Sequence, residues 1–355
     1  MTSRERVAAA LAHKTPDRTP IFEYVLQPPV ADAILGRAYL YGSPRWAGFV
    51  RQHGWKAAVQ QQATDMVDLA KTLGHDMLYA VPNALLPKPA AKPAPPVPQP
   101  DDPVEAMTER VSRAEANFAP PHDDSFLIYS LVRQKMDRAG LDLPILAPAY
   151  GHGVWTDTTL MQVMILDPAL ARRHFALATR RCLALVRKYV ELGVDMIGVG
   201  GDFAGNRGPI ISPASYQDFI VPEVRKLSQA IHAAGKSAIN ASDGNLWPVI
   251  EDFLVGCEAD GYLEIDLRAG MALATLKKRF GDHITFVGNL DCANVLSFGT
   301  PAQVKEDTKA CLRDGWGNGG HILCCNNAIT ASVPVQNYRA IYEAYREFFG
   351  LNQQT

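Results

Sequence analysis

Residues 196–202 read MIGVGGD, a short apolar run that ends in glycine and then a carboxylate. Four later runs repeat the plan: KSAINASD (236–243), GYLEID (261–266), ITFVGNLDC (284–292) and HILCCNN (321–327). Each is bounded by turn residues and followed by a helix-like stretch, which is the pattern of parallel strands joined by crossover helices. In a parallel barrel the C-terminal ends of all strands open into one mouth. The pattern therefore gathers Asp202, Asp243, Glu264, Asp266, Cys292, Cys324, Cys325 and Asn327 at one end of one sheet.

Three earlier runs are strand candidates as well: PIFEYV (20–25), HDMLYAV (75–81) and LPILAPAY (143–150). Together with 194–202, 236–243, 259–266, 284–292 and 321–327 they make eight strands in βα order. The expected fold is α/β, a single (β/α)8 TIM barrel over residues 1–355 with helical N-terminal additions. A doubly wound open sheet would carry a Gly-rich phosphate turn after its first strand, and PIFEYVLQPP has none. Thr2-Ser3 before RERVAAALAH is an N-cap signal, and Thr300-Pro301 opens another helix. Further helices are expected over about 160–192 and 212–234. Residues 82–103 include LLPKPAAKPAPPVPQPDDP, a proline density that forbids helix and sheet and predicts an extended excursion within the domain.

The chain has 355 residues, 47% hydrophobic and 20% charged, which is ample material for a large core. A net charge of −2 with no basic block argues against nucleic acid as a partner. No apolar run reaches the ~18 residues of a membrane span. The opening MTSRERVAAALAHKTPDRTP has no apolar signal region. Six cysteines without such a signal read as reduced thiols, so a cytoplasmic location is expected.

Adjacent residues on a strand face opposite sides, so one of Cys324 and Cys325 should look into the mouth and the other toward the helices. Two small buried hydrophobes are the plain alternative. Cys292 ends the neighbouring strand, and Glu264 and Asp266 end the one before it. Thiolates and a carboxylate from these positions would suit a Zn²⁺ ion with one open coordination site, a Lewis acid for a leaving oxygen. Asp202 lies in the Gly-rich stretch GGDFAGNRGPIISP, where Arg207 could clamp a carboxylate. Asp243 in ASDGN ends a strand, although Asp-Gly is also a turn dipeptide. Either aspartate, if burial raised its pKa, could act as a proton donor instead of a metal. Asn245, Asn289 and Asn327 are weaker site candidates, and Asp291 would orient Cys292. Tyr24, Tyr150, His152 and Trp155 could stack on an aromatic substrate or pack together as a lid. His321 begins a strand and is expected to be structural, as are Cys182, Cys257 and Cys311.

These segments carry a resemblance. TSRERVAAALAHKTPDRTPIF, the ISPASYQDFIVPEVRKL helix, SDGN, VGNLDC and LSFGTPAQVKE are similar, in order along nearly the whole chain, to the uroporphyrinogen decarboxylase superfamily. That resemblance implies a TIM barrel and divides into porphyrinogen decarboxylases and corrinoid-dependent methyltransferases. The decarboxylases hold tetrapyrrole carboxylates with an Arg-containing segment, and the corresponding FEYVLQPPVADAILG has no Arg. The methyltransferases often bind zinc through His-x-Cys at strand five and Cys at strand eight; here those places hold Asn240-Ala241-Ser242-Asp243 and Asn327. The SDGN and GNLDCANVL patterns look most like the substrate-side methyltransferases of O-demethylases, which move a methyl group from a methoxylated aromatic to a separate corrinoid protein. The resemblance thus implies a small-molecule methyl donor and a corrinoid protein as partners, with a homodimer allowed. A tentative zinc could be rebuilt from Glu264, Asp266, Cys292, Cys324 and Cys325. Decarboxylation of a small carboxylic acid, with Arg207 on its carboxylate, is the alternative.

Overall fold

The computed structural model describes residues 1–86 and 100–351. Most of the Pro-rich segment expected at 82–103 lies outside the described residues. Seven parallel strands form one sheet: β2 (Leu78–Tyr79), β3 (Ile145–Pro148), β4 (Met196–Gly200), β5 (Ser237–Ala241), β6 (Gly261–Leu263), β7 (Thr285–Val287) and β8 (His321–Ile322), in that spatial order. The extended segment at Ile21, here β1, closes the ring. It bridges Leu323 in parallel, Phe22 N donates to Leu323 O at 3.1 Å, and Asp76 N donates to Ile21 O at 2.7 Å just ahead of β2. Eight staves in βα order make the TIM-type barrel that the sequence predicts.

The strands are shorter than the apolar runs that announce them. MIGVGGD pairs over five residues, Met196–Gly200 against Ser237–Ala241, and then leaves the ladder at Gly200 (φ +86°) and Gly201 (φ +148°). Both positions favour glycine. Even an added Cβ at Gly200 would sit 2.1 Å from Asn240 Oδ1. The stretch 160–192 is two helices, Thr158–Leu166 and Pro168–Glu191, with Asp167 capping the second through Leu170 N at 3.0 Å. Asp before Pro at N1 is a helix-start signal that overrides continuity. The helix expected at 212–234 is interrupted by a π-turn over Tyr216–Ile220. Thr2 and Thr300 both form full capping boxes, with Glu5 and Gln303.

Two apolar cores follow from strand alternation. Inward residues Phe22, Met77, Leu146, Met196, Ile239, Leu263, Val287, Ile322 and Cys324 fill the bore, and Val7 and Ala10 of the first helix, Ser3–Leu11, join them. That helix plugs the bottom, where Gly320 N donates to Ala10 O at 2.8 Å. Outward residues pack against the surrounding helices in the larger core. Plugging the bottom leaves the C-terminal strand ends as the open face. No helix among the described residues is long and apolar enough to cross a membrane.

Candidate active site at the barrel mouth

A cleft of about 420 Å³ opens at the C-terminal ends of β5 to β8. Asp243, Asp266, Asp291, Cys292 and Asn327 line it, together with Asn206, Arg268, Ser297, Phe298, Asn326, Thr330 and Ser332, whose roles the sequence did not reveal. Alternation places Asp243. In β5, Ile239 and Ala241 face the bore, so Asp243 continues the inward row. Asn327 Nδ2 donates to its Oδ2 at 3.2 Å. Asp202 follows the turn at Gly200 and Gly201 that ends β4, and its charge reaches Asp243 and Glu264.

Glu264 breaks the alternation and joins the site for that reason. Leu263 faces the bore, so a regular strand would turn Glu264 outward. Its φ of +73°, uncommon for a residue with a side chain, swings it back toward the mouth. Its carboxyl lies among Asp202, Asp243 and the Tyr24 hydroxyl. That hydroxyl and the Tyr150 hydroxyl are both buried without a hydrogen bond of standard geometry. Tyr150 reaches the bore across Gly198, where a Cβ would meet its Oη at 2.5 Å. Tyr79, which the sequence analysis passed over, meets Tyr24 edge to face with ring centroids 5.9 Å apart.

The electrostatics of these carboxyls share one cause. Burial pushes Glu264 up to about 8, and the neighbouring charges of Asp202 and Asp243 add to it against the Tyr24 hydroxyl. Burial, then Asp202 and Asp266, raises Asp243 to about 6, opposed by the Asn327 hydrogen bond. Burial also raises Asp202 and Asp291. None of the five mouth carboxyls forms a salt bridge among the described residues, whereas Asp17, Asp32, Asp65, Asp76 and Asp195 elsewhere are each paired with an arginine.

The thiolate–carboxylate metal site expected from the sequence is not assembled. Among the described residues no three His, Cys, Asp or Glu side chains converge as metal donors. Cys324 packs in the bore, while Cys325 faces the helix layer beside Glu23. Cys292 borders the cleft, but burial pushes its thiol up to about 12. Asp266 uses its Oδ1 in a turn, accepting from Arg268 N at 3.0 Å and Ala269 N at 3.3 Å. Thiols that diverge, with no converging set of donors among the described residues, do not fit a resident zinc.

Other expected site residues are placed elsewhere. Gly151 N and His152 N both donate to Gly200 O at 3.1 Å, two residues against one as in a bulge, and this turns His152 outward. There its Nε2 meets Thr179 Oγ1 at 2.9 Å, and burial lowers the imidazole to about 4. Asn289 is held by Met271 O at 3.2 Å and by the Cys311 thiol. Asn245 accepts from Trp247 N at 3.1 Å within its own turn. Arg207 sits at the exposed tip of a small hairpin, Ala204–Gly205 with Gly208–Pro209, and is not on the cleft wall. Trp155, 53% exposed, covers Gly205 of that hairpin. His321 is buried and bonded to Gly288 O at 2.7 Å, as a structural residue should be.

A parallel barrel plugged below, with a polar cleft of unpaired carboxyls above, is the architecture of a TIM-barrel enzyme. The family model described as Uroporphyrinogen decarboxylase (URO-D) matches residues 144–348, and the chain belongs to that family. The match begins at β3 and carries every mouth residue from Asp202 to Asn327. The uroporphyrinogen decarboxylase of Thermus thermophilus is 25% identical over 186 residues, 52% of this chain and 51% of that protein. The methylated-thiol–coenzyme M methyltransferase of Methanosarcina mazei is 23% identical over 193 residues, 54% of this chain and 47% of that protein. The chain thus spans about half the length of the curated relatives it matches. A solved structure, a methyltransferase from Methanosarcina mazei, superposes with a TM-score of 0.70 at 18% identity, covering 98% of this chain and 99% of that one. That likeness establishes the shared fold over the whole chain.

Proposed function

We propose that this protein transfers a methyl group from a small methylated donor, a methoxylated aromatic, to the cobalt of a separate corrinoid protein. The observation that carries the reading is Glu264, a carboxyl at the mouth held near 8 and so still protonated at neutral pH. Cleaving a methyl ether expels an alkoxide or phenoxide, a poor leaving group unless it receives a proton. With no group of three metal donors among the described residues, a neutral carboxylic acid would supply that proton. The partner's corrinoid supplies a strong nucleophile for the methyl carbon. The protein's residues do the rest: the cleft holds the arene, the C–O bond breaks, and its electron pair takes the Glu264 proton. Asp243, at about 6 and held by Asn327, is placed to pass a proton from solvent back to Glu264. Decarboxylation of a polycarboxylate fits less well, because its carboxylates would meet five unpaired acidic side chains.

The test is demethylation of a methoxyarene by the purified protein with a reduced corrinoid protein. Wild-type turnover should fall as pH rises through about 8, where Glu264 loses its proton. Glu264→Gln should lower kcat by roughly 10²- to 10⁴-fold, the usual contribution of a general acid. Demethylation that persists without any corrinoid protein, or a Glu264→Gln enzyme of unchanged kcat, overturns the proposal.

A further inference from the structure

A second cavity of about 440 Å³ lies outside the barrel and shares no lining residue with the mouth cleft. It sits between the helices Pro103–Ala116 and Pro168–Glu191, beside Tyr150 and Gly151, which follow β3. In RRHFALATRRCLAL (172–185), His174, Leu177, Ala178, Arg181, Cys182 and Leu185 follow at i, i+3, i+4, i+7, i+8 and i+11. Helical spacing therefore sets all six on one face. Short side chains, Ala178 on this helix and Ala114 on the other, leave the gap between the helices unfilled. The wall is apolar at Val111, Leu177, Cys182 and Leu185, and cationic at Arg110 and Arg181.

The charges on that wall do not cancel. Asp157 accepts from Arg110 Nη2 at 2.8 Å through Oδ2 and from Leu160 N at 2.9 Å through Oδ1, so both of its oxygens are in use. Arg181 has no carboxylate within ion-pair distance among the described residues, and its Nη2 reaches only Ala114 O, at 3.5 Å. Burial, then the Arg110 charge, lowers His174 to about 4 against the pull of Asp157, so the ring is uncharged at neutral pH. That ring makes no hydrogen bond among the described residues, which leaves an N–H to donate. Two arginines against one aspartate leave a single positive charge in excess. One uncompensated guanidinium beside aliphatic surface matches a monoanion with an apolar body, and a doubly charged phosphate would exceed it.

We infer that this cavity is a second binding site, for an aliphatic carboxylic acid in its ionised form. Its carboxylate accepts from Arg181 and the His174 ring, and its chain lies along Val111, Leu177 and Leu185. The site stands apart from the mouth and does not depend on the methyl-transfer reading. Calorimetric titration of the full chain with octanoate, and with octanamide as the uncharged counterpart, tests it. Octanoate should bind at least about tenfold more tightly than octanamide, and the gap should narrow as salt screens the guanidinium. Arg181→Gln, at an exposed helix position, should weaken octanoate about tenfold and leave octanamide unchanged. Ala114→Leu puts a side chain into the gap and should weaken both. Arg268→Gln, which removes the arginine of the mouth cleft, should change neither. No saturable binding of octanoate, equal affinity for octanamide, or a loss in Arg268→Gln in place of Arg181→Gln overturns the inference.

Discussion

Glu23→Gln should make the stability of this protein much less sensitive to pH between 5 and 8. Glu23 is 8% exposed and points out of the barrel wall, beside the Cys325 thiol and Tyr338 and Tyr342 of the last helix. No arginine or lysine meets it among the described residues, and Tyr24 N donates to it at 3.2 Å. Burial raises its carboxyl from 4.5 to about 8, opposed by the Cys325 and Tyr24 hydrogen bonds. The sign follows from which state ionises first. Unfolded, the carboxyl loses its proton near 4.5; folded, it keeps the proton until about 8. Its contribution is therefore complete below pH 4.5 and is lost as pH rises to 8. That interval corresponds to about 5 kcal/mol at the linkage limit. Relaxation and water entry around a buried charge reduce this, so a loss of about 2–3 kcal/mol between pH 5 and 8 is expected. Glutamine has a similar shape and does not titrate. Urea unfolding of both proteins at pH 5 and pH 8 gives the difference of differences, and the Glu264 contribution, present in both, cancels. If wild type and variant lose the same stability across that interval, to within about 0.5 kcal/mol, burial is not what holds the Glu23 proton.

Two structural predictions probe the barrel around the site. Gly198→Ala would place a methyl 2.5 Å from Tyr150 Oη, and overpacking of this kind costs about 1–3 kcal/mol. A lowered urea midpoint together with a perturbed tyrosine signal checks it, and an unchanged midpoint would mean that Tyr150 moves freely. Asp76→Asn removes the fully buried partner of Arg6, which is itself only 4% exposed. Arg6 keeps its ion pair with Asp17 but loses the buried charge it faces, which should cost about 1–3 kcal/mol in urea unfolding, at the end of the barrel away from the cleft.

The eight strands were legible because parallel strands buried on both faces read as continuous apolar runs ended by turn residues. Strand alternation also carried Asp243 into the mouth. What the sequence could not show are the places where the backbone leaves the strand rule. The left-handed turn at Glu264 takes an expected metal ligand off the strand rule and sets its carboxyl among Asp202, Asp243 and Tyr24. The bulge at Gly151–His152 moves an expected substrate residue to the helix layer. The left-handed region at Gly288 (φ +156°) follows Val287, after which Asn289 no longer continues the inward row and instead bonds Met271 and Cys311. Neither a left-handed residue nor a bulge changes the apolar periodicity that revealed the strands. Asn326 stood in the HILCCNN run and was passed over; its Oδ1 accepts from Cys292 N at 3.0 Å, tying β8 to the loop after β7.

The two ends of the barrel handle charge in opposite ways, and the contrast separates scaffold from site. At the bottom, Asp76 accepts from Arg6, Arg18, Ser3 and the Ile21 backbone, so this buried charge has its partners within the chain. Such a network fixes geometry and needs nothing from outside. At the mouth no carboxyl has an ion-pair partner among the described residues, and Asp202, Asp243, Glu264 and Asp291 hold their protons to higher pH. A fold that pairs Asp65, Asp76 and Asp195 with arginine would gain stability by placing an arginine at the mouth too. Leaving that position unfilled weakens the folded state and lets the carboxyls keep their protons to higher pH. On this argument an arginine or lysine introduced beside Asp243 and Glu264 should stabilise the protein while it silences the cleft.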